Sequence, residues 1–155
     1  MSTMPITIAS APPFAVGSHP SRPLRILYAD DVRELRDLMR MVLTKQGHNV
    51  ETVDSGAPAL TRLSEAQPGF DLLITDHHMP GVNGLELVRQ TRESPYSGKI
   101  VVFSSEISEE VHEQYRRFAV DAILPKPIFP STFCNVLNQL FAEDHAPVSR
   151  ENPTA

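Results

Sequence analysis

Cysteine is nearly absent from this 155-residue chain: Cys134 stands alone, so no internal disulfide can form, and a single thiol suits a reducing compartment, the cytoplasm. Its ordinary role is that of a buried structural thiol. Long apolar runs are also missing. None approaches the ~20 residues that a membrane-spanning helix needs, so a soluble protein without membrane insertion is expected. Nor is there a basic excess: the net charge of -5 disfavours nucleic acid and anionic membrane surfaces as partners. The first 21 residues contain no Lys, Arg, Asp or Glu, and Pro5, Pro12, Pro13 and Pro20 interrupt every apolar stretch. A secretory signal needs a cationic start and an unbroken apolar segment, so residues 1–21 read as a flexible uncharged arm. Residues 143–155, EDHAPVSRENPTA, read as a polar tail. No second domain is expected at either end.

What remains, residues 22–142, has the composition of one ordinary globular domain, and a chain of this length buries about two thirds of its unfolded surface without staples. Short apolar runs, LRILYA, NVETV, DLLIT, KIVVFS and DAILP, start at Leu24, Asn49, Asp71, Lys99 and Asp121. Three are almost continuously apolar, the mark of strands buried on both faces of a parallel sheet. Helical patterns separate them. Val32, Leu35, Leu38, Met39, Val42 and Leu43 form one stripe that Gly47 ends. A second helix is predicted from about Ala57 to Ala66, with Ser55 as its cap and Pro58 in its first turn. Leu85 and Val88 mark a third, Ile107, Val111, Tyr115 and Phe118 a fourth, and Pro130 opens a fifth carrying Phe133, Val136, Leu137 and Leu140. Strict alternation of strand and helix implies a doubly wound α/β sheet, with right-handed crossovers and helices on both faces.

In such sheets, ligands and chemistry gather beyond the carboxyl ends of the strands. The residues found there are Asp30 and Asp31 after the first strand, Asp76 after the third, Ser104 and Ser105 after the fourth and Lys126 after the fifth. Three converging carboxylates repel unless cations are near. Mg²⁺ is the natural partner, because it takes carboxylate and carbonyl oxygens and shares its shell with phosphate. An aspartate beside such an ion can act as a nucleophile toward phosphorus, with Lys126 and Ser104 as charge and hydroxyl donors to the transferred group. Pro125 and Pro127 restrict the backbone around Lys126. Helix capping is the plain alternative for Asp30 and Asp31, and Asp31 is compatible with both roles. His77 and His78 are adjacent in sequence and therefore poorly placed to share a zinc ion.

The order and spacing of ILYADD, LLITDHHMPGVNG, VVFSSE and ILPKP resemble the receiver domain of two-component response regulators, over Leu24 to about Phe141. The resemblance implies a flavodoxin-like five-stranded parallel sheet of order 2-1-3-4-5 with five helices. It implies that Asp76 accepts phosphate from a phosphohistidine on a histidine kinase or histidine phosphotransfer protein. Asp31 would hold Mg²⁺ directly, Asp30 through water or from a second shell, and the His78 backbone carbonyl would complete the protein ligands with Asp76. Lys126 would pair with the phosphoryl group through a loop in which Lys126–Pro127 is cis, and Ser104 would be the switch hydroxyl. The side chains of His78 and Glu106 would border the approach of hydrolytic water.

One position departs from the pattern. Where the family usually has an aromatic residue, three before the lysine, this chain has Ile123, so signalling is expected to rely on Ser104 and its loop, with Ile123 packing. Only 13 residues follow the fifth helix. The expectation is a stand-alone module that signals to a separate downstream protein, with its output surface on the fourth helix, fifth strand and fifth helix. It is a phosphoacceptor rather than an enzyme, with at most slow self-dephosphorylation. A phosphatase of the haloacid dehalogenase type uses similar groups, but in an Asp-x-Asp arrangement after the first strand. A receiver that only docks would not need the full set of Asp30, Asp31, Asp76, Ser104 and Lys126.

Overall fold

Five strands and five helices alternate along residues 22–142, the residues that the structure, a computed structural model, describes. The arm and tail expected at residues 1–21 and 143–155 lie outside the described residues. In chain order the elements are β1 (Arg25–Ala29), α1 (Arg33–Lys45), β2 (Asn49–Val53), α2 (Gly56–Glu65), β3 (Leu72–Asp76), α3 (Gly84–Arg92), β4 (Lys99–Ser104), α4 (Glu109–Arg117), β5 (Ala122–Pro125) and α5 (Pro130–Ala142). All strand pairs are parallel, in the order β2-β1-β3-β4-β5. The three nearly continuous apolar runs became the three central strands, and β3 is buried at every residue. The sequence NVETV, which alternates, sits at one edge as β2.

Alternate residues of the central strands serve two cores. Ile26, Tyr28 and Phe103 face α1 and α5, where Met39, Leu43, Phe133 and Leu137 cover them. Leu27, Ala29 and Val102 face α2, α3 and α4, under Ala59, Leu87, Val88 and Tyr115. Burying side chains of this size contributes about 1.5–3 kcal/mol each, and register is fixed because a one-residue slip would exchange the side chains of the two cores. Ile123 is half-buried and packs against the second core, as expected of a packing residue.

Helix ends follow local chemistry. Past α1, Gly47 takes a left-handed φ of +96°, and the bonds His48 N–H to Leu43 O and Gly47 N–H to Thr44 O close the helix end. Asn83 and Ser108 cap α3 and α4 by accepting from Glu86 N–H and Val111 N–H. Two expectations fail. Ser55 occupies the cap position of α2 but its hydroxyl donates to Asp54 Oδ1 instead, and Val32 lies just ahead of α1, 40% exposed, rather than in the apolar stripe.

Candidate functional site

Register carries the chemistry to one edge. Asp76 pairs across the sheet with Phe103 and Ser104 with Pro125, so the last residues of β3 and β4 stand level with the acids that follow β1 and the lysine that follows β5. The carboxylate oxygens of Asp30, Asp31 and Asp76 lie within 4.8 Å of one another, with Asp30 and Asp76 buried and Asp31 exposed. Among the described residues this is the one acid, histidine or cysteine cluster able to hold an ion, and neither histidine belongs to it.

Lys126 reaches back over the same edge. Its Nζ is 3.0 Å from Asp76 Oδ1 and 3.3 Å from Asp30 Oδ2, and its backbone N–H donates to the Ser104 carbonyl at 2.7 Å. The Lys126–Pro127 bond is cis. The ammonium is the ion partner of the buried Asp76 Oδ1. Burial raises the Asp76 carboxyl above the usual carboxylate range; Lys126 opposes the rise and the Asp30 and Asp31 charges reinforce it. Burial works against the Lys126 ammonium, yet the Asp76 and Asp30 carboxylates outweigh it and hold the ammonium above its ordinary value.

Asp30 is wholly buried and fully engaged. Its Oδ2 accepts the Tyr28 hydroxyl at 2.5 Å, its Oδ1 accepts Val32 N–H at 2.9 Å, and its carbonyl accepts Arg36 Nη1 at 2.8 Å. Asp30 thus meets the residue just ahead of α1, while the helix itself has no side-chain cap bond from either acid. Sequence reasoning passed over Tyr28 and Arg36. A signal for Tyr28 existed: two residues before Asp30 on a strand puts it on the same face, and its hydroxyl is out of place in a buried aliphatic run.

His77 and His78 diverge. His77 is buried, and its Nδ1 shares a hydrogen bond of 2.6 Å with the hydroxyl of fully buried Tyr115 on α4. Burial depresses the His77 imidazole, with His78 adding to it. His78 is exposed, two residues past Asp76, with Nε2 3.3 Å from the Glu106 carbonyl in the loop after β4. The two rings meet edge to face at 4.7 Å. An open cleft of about 350 Å³ runs from Asp31 along His77, His78, Met79, Pro80 and Asn83.

The sequence matches the response regulator receiver domain family over residues 26–138. It is 31% identical over 137 residues to the sensory/regulatory protein RpfC of Xanthomonas campestris, an alignment taking in 86% of this chain and 19% of that protein. The chain therefore spans about a fifth of the length of this curated relative. A response regulator receiver protein from Pseudomonas putida superposes with a TM-score of 0.71 at 26% identity, over 77% of this chain and 98% of the other. The chemotaxis protein CheY4 of Vibrio cholerae does so with a TM-score of 0.69 at 29% identity, over 76% and 98%.

Proposed function

The chain belongs to the response regulator receiver family, and on that premise we propose that it takes a phosphoryl group on Asp76 from a phosphohistidine and relays the change to another protein. The observation that carries the proposal is the Asp76 carboxylate itself: buried, flanked by two acids and touched by one ammonium. A carboxylate oxygen attacks phosphorus, the P–N bond to the donor histidine breaks with its electron pair going to nitrogen, and the donor ring, already protonated on its other nitrogen, leaves as neutral imidazole. Lys126 stays charged throughout and follows the negative charge from the carboxylate to the new phosphoryl oxygens. Ser104, at the end of β4, is the hydroxyl that turns toward them. Donors would be a histidine kinase or a histidine phosphotransfer protein.

The site suits Mg²⁺. Its donors are hard oxygens, and three carboxylates share one edge. Asp31, Asp76 and the His78 carbonyl would hold the ion directly, with Asp30 acting through water because its oxygens are already engaged by Tyr28 and Val32. When bound, the ion neutralises charge between carboxylate and phosphoryl oxygens.

Incubation of the protein with Mg²⁺ and a small acyl phosphate tests the reading. One equivalent of an acid-stable, base-labile adduct is expected. Its absence, or release of many equivalents of phosphate from a simple ester, would overturn the proposal, the latter in favour of a phosphatase.

The lifetime of that adduct depends on what shields it from water. His78 spans the gap between the loops after β3 and β4 by its contact with the Glu106 carbonyl. His78→Ala opens that gap and is expected to speed release of phosphate by about threefold to tenfold, roughly 1 kcal/mol on the barrier. Equal release rates from wild type and variant would remove His78 from this role.

A further inference from the structure

Three connections meet at His77, a residue to which nothing above gives a task. It is bonded covalently to Asp76, and its backbone N–H donates to the carbonyl of Phe103, the residue before Ser104, at 3.0 Å. Its ring is hydrogen-bonded to Tyr115 at 2.6 Å and packed edge to face on the same phenol, with centroids 5.5 Å apart. Tyr115 is the buried residue of α4, and no solvent separates it from His77. Behind the pair the packing leaves no slack. A β-carbon on Gly84 would fall 2.7 Å from the Tyr115 hydroxyl and 2.8 Å from the His77 Cα.

We propose that the His77–Tyr115 hydrogen bond is the link through which the state of Asp76 reaches α4. The proposal rests on the phosphoacceptor reading above. A phosphoryl group enlarges the Asp76 side chain and draws the Ser104 end of β4 toward it. His77 is attached to both moving parts, to Asp76 through the chain and to β4 through Phe103, so its ring changes position relative to α4. In the packed space around Gly84, Tyr115 either follows or loses its partner, and each outcome shifts or rotates α4 at the one point where it is anchored by a buried polar group. Ile123, aliphatic and packed in the same core as Tyr115, has no polar group to take part. The polar connection to the helix therefore runs through β3 rather than through β5.

Backbone amide NMR of the full chain, with Mg²⁺ and beryllofluoride as the phosphoryl mimic, tests this. In the wild type the amides of Asp76 and Ser104 are expected to shift on addition of the mimic, and those of Glu109–Arg117 with them. Tyr115→Phe removes the hydroxyl and keeps the ring, and His77→Phe removes the ring nitrogen and keeps an aromatic edge. In both, Asp76 and Ser104 should still respond while the response over Glu109–Arg117 is mostly lost. A full response of Glu109–Arg117 in both variants would overturn the link and leave the phosphoacceptor reading intact. No response at Asp76 in the wild type would overturn both. Two variants acting on one bond from opposite sides keep the test decisive should one fold poorly.

Discussion

Asp76→Asn is expected to abolish the phosphoryl adduct completely and, at neutral pH, to leave the protein more stable than the wild type. The first effect follows from the loss of the nucleophilic oxygen pair. The second follows from what surrounds it. Burial and the nearby Asp30 and Asp31 charges disfavour a charged Asp76, and the single Lys126 contact, shared with Asp30, does not compensate. The folded chain therefore holds the Asp76 proton more tightly than the unfolded chain does. Its contribution to stability is fully present below the ordinary carboxyl value of 3.8 and is lost as pH rises through the raised folded value. An amide of the same shape carries no such penalty. Relieving a functional site of this kind stabilises by about 0.5–2 kcal/mol. Urea unfolding at several pH values checks it: the advantage of the variant should be largest at neutral pH without divalent ions, shrink in acid and shrink again in saturating Mg²⁺. A variant less stable than wild type at neutral pH would mean that the Lys126 pairing outweighs burial and repulsion together.

That tension explains which parts of the site could be seen in the sequence. β1, β3 and β4 were legible because strands buried on both faces need continuous apolar residues, and the edge where such strands end is fixed by topology before any side chain is considered. Asp30, Asp31, Asp76, Ser104 and Lys126 all fell at that edge for the same reason. Contacts that depend on side chains meeting across long sequence separations were not legible. His77 and Tyr115 are 38 residues apart, and nothing in either local pattern pairs them. Tyr115 looked like core and is core; what the apolar stripe of α4 did not convey is that its hydroxyl ends beside the residue that follows β3. Caps failed differently. Ser55 has the right residue type in the right place, but its side chain turns to Asp54 and its oxygen accepts no helix N–H. Which of the two acids turns inward is a matter of pleat: Asp30 follows Tyr28 by two residues and lies on the same buried side, beside its hydroxyl.

Gly84→Ala is expected to damage both stability and phosphorylation, although helix propensity alone predicts a gain. Gly84 opens α3 and its N–H donates to the His77 carbonyl at 2.9 Å, in a helical conformation that alanine adopts readily. Alanine is favoured over glycine by about 1 kcal/mol in an exposed helix interior. What forbids it here is close approach: the added β-carbon would lie 2.5 Å from the Asp76 carbonyl oxygen, 2.7 Å from the Tyr115 hydroxyl and 2.8 Å from the His77 Cα. Two of these three are backbone atoms of the strand end, which cannot swing aside as a flexible side chain would. Relief requires α3 to lift away from the sheet or the end of β3 to shift, and overpacking of this kind costs about 1–3 kcal/mol. The shift also displaces Asp76 from Lys126, and a misplacement of ~1 Å in a positioned reactive group can cost on the order of 100-fold in rate. Gly69 supplies the control, since a β-carbon there meets nothing within 4 Å. Thermal melts should show Gly69→Ala within about 0.5 kcal/mol of wild type and Gly84→Ala clearly below it. With a small acyl phosphate as donor, Gly84→Ala should form the adduct at least tenfold more slowly, about 1.4 kcal/mol on the barrier. A Gly84→Ala protein that melts and phosphorylates like wild type would show that α3 yields to the extra methyl without disturbing β3, and the tight seat of Asp76 and His77 against α3 would then have no part in setting the phosphoacceptor.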